Sequence, residues 1–158
     1  MILSITTACL ATLLGIRSTP VDPPCSCLDV VVAAAGVDAP PPTPTDEYEL
    51  IAMRGWTVRV NPALLADPPL WNAVRDELDH QLYAITRVVP QPALDRIRGI
   101  EIWAELEMHK TACMCYHVSR GWLVPNGYNG DKEGTVEIGN ARAFLEWTRS
   151  QPWMVLHE

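Results

Sequence analysis

The stretch DPPLWNAVRDELDHQLYAITRVV, residues 67–89, decides the fold class of this chain. Its apolar residues recur at steps of three and four positions, which is the spacing of one face of an α-helix. They are Trp71, Val74, Leu78, Leu82, Ile85 and Val89. Asp67 followed by Pro68 is typical of a helix start, and Pro90 ends the helix because proline lacks the amide hydrogen. A long amphipathic helix needs an apolar surface to pack against, so the flanking segments should supply one.

Both flanking segments alternate between apolar and polar residues, as strands with one buried face do. Residues 48–60 alternate imperfectly, with Trp56, Val58 and Val60 on one side, and Arg54-Gly55 marks a break. Residues 100–107 alternate more regularly, and their second face holds Glu101, Trp103, Glu105 and Glu107. The second segment therefore predicts a strand with one charged face that also carries a tryptophan.

Short elements fill the rest of the chain. Residues 112–118 are predicted to form the antiparallel neighbour of the strand at 100–107, and residues 134–138 a further strand after the turn Pro125-Asn126-Gly127. Residues 93–98 predict one or two helical turns. Asn140 can cap a helix that runs to Trp147.

The last helix is predicted from Ser150 as its cap, with Pro152 in the first turn and His157 on the second. The predicted order along the chain is a strand, a helix, several strands and then further helices, which is typical of an α+β fold. We therefore expect a small mixed or antiparallel sheet with the long helix packed on one face and a C-terminal helix beside it.

The first part of the chain predicts an export segment, residues 1–38, and a proline-rich linker, residues 39–46, before a domain at residues 47–158. Residues 2–16 are apolar and too short for a comfortable membrane span, which favours a signal segment, although no Lys or Arg precedes them. Ala33-Ala34-Ala35 offers small residues for cleavage. The sequence thus predicts an exported protein without a stable membrane span.

The charge of the chain bears on its partners. Twelve Lys and Arg residues are outnumbered by nineteen Asp and Glu, which gives a formal net charge of -7. Binding to nucleic acid phosphates needs a basic face. We therefore expect no nucleic-acid partner.

The sequence ends on His157-Glu158, directly after the apolar run Trp153-Met154-Val155-Leu156. Natural termini tend to be polar and loosely held, so we infer a chain cut within a helix. His-Glu on a helix is how the zinc-protease motif His-Glu-x-x-His begins. Two residues alone are a weak signal, because a polar helix end would look the same.

Several segments together resemble a family of bacterial exported, zincin-like metallopeptidases. They are Arg54-Gly55-Trp56-Thr57-Val58, Tyr116-His117-x-Ser119, Gly121-Trp122-Leu123-x-x-Asn126-Gly127-Tyr128, Val136-Glu137-Ile138 and Gln151-Pro152-Trp153-x-Val155-Leu156-His157-Glu158. In that family the last segment is similar to one that continues as His-Glu-Leu-Ala-His. The resemblance implies a zincin-like N-terminal subdomain that stops inside its active-site motif.

The resemblance also implies a mechanism for the full-length protein. His157 would be a zinc ligand and Glu158 the general base that takes a proton from zinc-bound water, with a peptide or protein as substrate. The second histidine and the third ligand lie outside this sequence, so the fragment itself is expected to be inactive. The alternative is a noncatalytic exported module that binds a partner or serves a structural role. Oligomeric state is not predicted.

Two further sites are candidates. By analogy with zincins, Val136, Glu137 and Ile138 could form an edge strand that binds substrate, or equally an ordinary strand with Glu137 in solvent. Cys113, Cys115 and His117 alternate, so one side of a strand could hold a second metal. Buried structural cysteines are the simpler interpretation, and disulfides with Cys25 or Cys27 stay open.

Overall fold

A computed structural model describes residues 41–108 and 111–158 of the chain. The predicted export segment, with Cys25 and Cys27, lies outside the described residues. The strands are β1 (Glu49–Met53), β2 (Trp56–Val60), β3 (Ile102–Ala104), β4 (Met114–Tyr116) and β5 (Val136–Ile138). The helices are α1 (Pro62–Leu65), α2 (Pro68–Val88), α3 (Gln91–Ile97), α4 (Arg120–Leu123), α5 (Ala141–Trp147) and α6 (Met154–His157). Short 3-10 turns cover Thr45–Glu47, Val124–Asn126 and Gly130–Lys132.

The break at Arg54-Gly55 is the turn of a β-hairpin. β1 and β2 pair antiparallel, with Met53 opposite Trp56. Arg54 and Gly55 both have positive φ, 53° and 95°, which is the backbone of a two-residue hairpin loop. One irregular strand in the sequence is therefore two paired strands in the structure.

The long helix is confirmed. α2 starts after Asp67, whose side chain accepts a hydrogen bond from the Leu70 amide at 3.2 Å. Its apolar face is buried, and Val74, Leu78 and Leu82 have no exposed surface. α2 packs on α5 and α6, so these helices form one layer against the sheet.

The sheet is mixed, in the order β1-β2-β3-β5-β4. β2, β3 and β5 run parallel, whereas β1 and β4 are antiparallel to their neighbours. The predicted pairing of residues 112–118 with the strand at 100–107 is wrong, because β5 lies between β3 and β4. The expected α+β fold with a mixed sheet and a long helix is confirmed.

The two faces of the sheet differ in chemistry. Val58, Ile102 and Ile138 face the helix layer and belong to the apolar core. Trp103 and Glu137 project from the opposite face, as alternation along a strand requires. Both are at most 1% exposed, and Glu105 is 5% exposed. The predicted second face of β3 is thus buried, and the segment around Gly130–Lys132 covers its polar groups.

Of the two helix caps predicted near the end of the chain, one is present and one is not. Asn140 caps α5 as predicted, accepting from the Ala143 amide at 2.9 Å. Ser150 does not cap α6, since its hydroxyl donates to the Trp147 carbonyl and α6 starts at Met154. In the predicted linker, Thr43 and Thr45 accept hydrogen bonds from the Asn129 side chain, so the domain's contacts reach into residues 43–46.

Candidate functional site

His157 and Glu158 lie at the end of α6, against the helix layer. Met154 and Val155 anchor the helix in the core, and the Val155 amide donates to Gln81 Oε1 of α2 at 3.0 Å. His157 is exposed and Glu158 is half-buried. The amphipathic pattern thus places the imidazole in solvent and the carboxylate at the boundary of the core.

Glu158 contacts the open side of β4. The amide and carbonyl of His117 bond to Thr135 and Gly134, so residue 117 faces β5. Backbone groups alternate in direction along a strand, and the Tyr116 amide therefore points away from β5. The Tyr116 amide lies near the Glu158 carboxyl group and is one of the influences that lower its pKa. Glu158 therefore lies beside the open edge of the sheet.

The environment of Glu158 favours its protonated form. Burial raises the pKa of Glu158 above its ordinary value, and the nearby His157 and the Tyr116 amide only partly oppose this. Beside it lies an apolar pocket of about 140 Å³, lined in part by Leu82, Ile102, Val136 and Leu156. A carboxyl group with a raised pKa at the mouth of an apolar pocket is a candidate for proton transfer.

In the described part of the chain, His157 does not belong to a group of three metal-ligating side chains. One group of three or more metal-ligating side chains is found there, and it consists of Cys115, His117 and Glu137. The predicted partner histidine of His157 would follow Glu158. The zinc assignment of His157 therefore stays a prediction.

The strand at Val136, Glu137 and Ile138 is present, but the prediction that it lies at the edge of the sheet is wrong. These residues form β5, which is paired on both sides, by β3 and by β4. All three are buried, at 6%, 0% and 0% exposure, so Glu137 is not in solvent either. Among the described strands, β4 is the edge on this side of the sheet.

Glu137 belongs instead to a buried polar cluster, which we define as Glu105, His117, Lys132 and Glu137. His117 Nε2 lies 2.6 Å from Glu137 Oε2, and Lys132 Nζ lies 2.6 Å from Glu105 Oε1. Lys132 Nζ also donates to Glu137 Oε1. Each of the four residues is at most 5% exposed. Buried charges need such pairing, because each loses its hydration.

Two further side chains hold Glu105 in place. The Tyr48 hydroxyl donates to Glu105 Oε1 at 2.6 Å, and Asn61 Nδ2 donates to Glu105 Oε2 at 2.5 Å. Burial and the neighbouring Glu105 carboxylate raise the pKa of Tyr48 far above its ordinary value, so the phenol stays a donor. These two contacts link the cluster to the residue before β1 and to the residue before α1.

The charge on Glu137 is stabilised by its partners. Burial alone would raise the pKa of Glu137, but the hydrogen bond from His117 and the charge of Lys132 outweigh it and lower the pKa. Glu137 and Glu158 thus shift in opposite directions. The partners of Glu137 favour its ionised form in the interior, whereas partial burial favours the protonated form of Glu158.

The three residues of the alternating Cys-His segment do not share one site. Cys115 Sγ lies 3.7 Å from His117 Nε2 and 3.9 Å from Nδ1. Cys113 Sγ lies instead 3.3 Å from Met154 Sδ, in the core beneath α6. The predicted trio of Cys113, Cys115 and His117 is therefore replaced by Cys115, His117 and Glu137.

The sequence analysis did not single out Lys132 or Tyr48, and it placed Glu105 on a charged strand face. No local pattern marks Lys132, which follows a turn in a polar segment. Its burial results from the strand order, which brings Glu105 and Glu137 together on neighbouring strands. A signal for it would require knowing that β3 and β5 are adjacent.

Comparisons of the chain with protein-family models, with curated proteins and with solved structures found no match. Among residues 41–108 and 111–158, no helix has both the length and the hydrophobicity to cross a bilayer.

Proposed function

We propose that this chain is the N-terminal part of an exported zinc metallopeptidase in which His157 binds zinc and Glu158 is the general base. The family resemblance supports the reaction class and the export. The observation that carries the proposal is the position of Glu158, which lies at the end of α6 near the outward amide of Tyr116 on edge strand β4.

The chemistry requires these residue types. Two imidazoles at positions i and i+4 of a helix point the same way and can share one zinc ion, with a third ligand from elsewhere. Zinc lowers the pKa of a bound water, and the glutamate after the first histidine accepts the proton as the water attacks a carbonyl. The raised pKa of Glu158 suits this task.

The substrate would lie along β4, which replaces β5 in this role. An extended peptide adds to a sheet edge through backbone hydrogen bonds. The amide of Tyr116 faces outward beside Glu158, so a peptide paired there would place a carbonyl next to the proposed base. A peptide or protein is therefore the substrate class that we propose.

The test uses the gene product extended past Glu158, because the proposed site needs a histidine four positions after His157. We expect elemental analysis to find one zinc per molecule that is lost in His157→Ala, and we expect the extended protein to cleave a peptide library. Glu158→Gln should retain zinc and reduce cleavage by about 10²- to 10⁴-fold, the usual worth of a general base. Glu146→Gln, at an exposed position on α5, is the matched control with unchanged activity.

Two results would overturn the assignment. The first is a zinc content that is the same in the full-length protein and in its His157→Ala variant, because this would show that no zinc is bound at His157. The other is full cleavage by Glu158→Gln.

A noncatalytic exported binding module is the second candidate. It is favoured by exposed apolar side chains close to the edge strand, of which Tyr116, Val118 and Trp122 are 37%, 78% and 41% exposed. Such side chains are typical of an interaction surface. Peptide binding by the extended protein without cleavage, and unaffected by Glu158→Gln, would support this function.

A further inference from the structure

We propose that Cys115, His117 and Glu137 form a structural site for a divalent transition metal such as zinc, separate from the proposed site at His157. The inference rests on the buried side chains behind β4 and not on the proposed peptidase. It assigns a ligand to three side chains of which two already belong to the buried polar cluster.

The sheet register creates the donor set. Cys115 and Glu137 are directly opposite each other on β4 and β5, and His117 follows on the same side of the chain as Cys115. The three donor atoms all lie within 4.8 Å of one another. Thiolate, imidazole and carboxylate are the donors that zinc takes in proteins. Register, rather than loop geometry, fixes their mutual positions.

The distances are close to those of a tetrahedral site. With zinc about 2.3 Å from sulfur and about 2.0 Å from nitrogen, the two donors are about 3.5 Å apart. Cys115 Sγ and His117 Nε2 are 3.7 Å apart. His117 Nε2 and Glu137 Oε2, at 2.6 Å, would need to separate by less than about 1 Å. Thr111 Oγ1, 3.4 Å from Glu137 Oε2, or a water completes the fourth position.

The charges favour a dication. Glu105 and Glu137 are two buried carboxylates that share one buried ammonium, Lys132. With neutral imidazole and thiol, the group carries one excess negative charge in a setting where an uncompensated charge is costly. A dication bound by the Cys115 thiolate and Glu137 brings the sum to zero. A proton on His117 is the competing way to reach neutrality, and the experiment distinguishes the two.

Lys132 also fits the surroundings of a metal ligand. It donates to Glu137 Oε1 and leaves Oε2 for the metal. Carboxylate ligands are commonly fixed by such a second hydrogen bond. The metal would join the edge strand β4 to β5 in the way that a structural zinc joins neighbouring segments.

The test is a cobalt(II) titration of the 158-residue chain with Cys9, Cys25 and Cys27 changed to serine and His157→Ala added. In this background Cys113 and Cys115 are the remaining thiols. We expect one cobalt per molecule and a thiolate-to-cobalt absorption band in the near ultraviolet. Cys113→Ser, the matched buried control, should keep the band, and Cys115→Ser should abolish it.

A second variant guards against misfolding of Cys115→Ser. Glu137→Gln retains the thiolate, so it should keep the band and weaken cobalt binding at least about tenfold. Circular dichroism establishes that each variant is folded. Absence of the band in the background protein, its persistence in folded Cys115→Ser or its loss in folded Cys113→Ser would each overturn the proposal. Because the background lacks His157, none of these results depends on the proposed peptidase.

Discussion

Two histidine–glutamate pairs lie on opposite sides of the same edge strand and have opposite physical characters. His117 and Glu137 are buried and in direct contact, with Lys132 as a shared partner. His157 and Glu158 end a short helix, where the imidazole is exposed and the carboxylate half-buried. Partners lower the pKa of Glu137, whereas burial raises that of Glu158. Residue type alone does not assign a role, because surroundings decide whether a carboxylate is held ionised or available for proton transfer.

The buried polar cluster should contribute more to the stability of the fold than any exposed ion pair. Replacing Lys132 by methionine leaves Glu105 and Glu137 as uncompensated buried charges. We expect a loss of about 3–5 kcal/mol in the free energy of unfolding, measured by urea denaturation. Arg142→Met, which breaks the exposed pair with Asp67, is the control and should change the value by at most about 1 kcal/mol. Similar values for the two variants would contradict the contrast between buried and exposed pairs.

A smaller loss is expected at the outer part of the buried network. Tyr48→Phe removes one hydroxyl that donates to Glu105. The cost should be about 1.5–3 kcal/mol, since the acceptor is charged and buried. The same urea denaturation measures it. Tyr83→Phe, on the exposed side of α2, is the matched control, and an equally small change in both variants would show that Glu105 does not need this donor.

The opposite pKa shifts predict opposite dependences on pH. Glu137 stabilises the fold above its ordinary pKa of 4.5, and this contribution is lost as the pH falls through its lower folded pKa. Glu158 destabilises the fold as the pH rises from 4.5 through its higher folded pKa. Each titration contributes a slope of at most about 1.4 kcal/mol per pH unit.

Melting temperatures measured across this pH range should separate the two carboxylates. Glu137→Gln should reduce the loss of stability in acid, and Glu158→Gln should reduce the loss at higher pH. If both substitutions altered the profile in the same direction, the contrast between the two carboxylates would be refuted.

The smallest effect on stability is expected at the exposed His157. His157→Ala removes an exposed imidazole, so the free energy of unfolding should change by no more than about 0.5 kcal/mol. His117→Ala is the informative comparison, because it leaves Glu137 without one of its two partners and should cost clearly more. Both are measured by thermal and urea denaturation. A loss at His157 as large as that at His117 would show that the C-terminal pair is part of the core.

Local features of this fold were predictable from the sequence. The spacing of Val74, Leu78 and Leu82 predicts α2, since one buried helix face produces that period. Asn140 predicts the start of α5 because its side chain accepts a hydrogen bond from the amide of Ala143, three residues later. The break at Arg54-Gly55 is likewise local. Each of these signals depends on neighbours in sequence, so one segment suffices to reveal it.

The order of strands and the buried polar cluster were not predictable in this way. Val136-Glu137-Ile138 has the pattern of a half-buried strand, although both of its faces are covered. Glu105, Lys132 and Glu137 meet because β3 and β5 are adjacent, and no alternation or spacing encodes that adjacency. The assignment of His157 and Glu158 as a zinc ligand and a general base rests on a local motif, and it stays a prediction.

The position of β5 has a consequence for how the polypeptide folds during synthesis. β4 leaves the ribosome first, yet its partner among the described strands is β5, which is made about twenty residues later and inserts between β3 and β4. Until residues 136–138 emerge, Cys115 and His117 have no strand beside them and β3 lacks one neighbour. Nascent chains that are arrested before residue 136 should therefore remain open to chaperones and proteases, and protection should rise steeply once this last strand enters the gap.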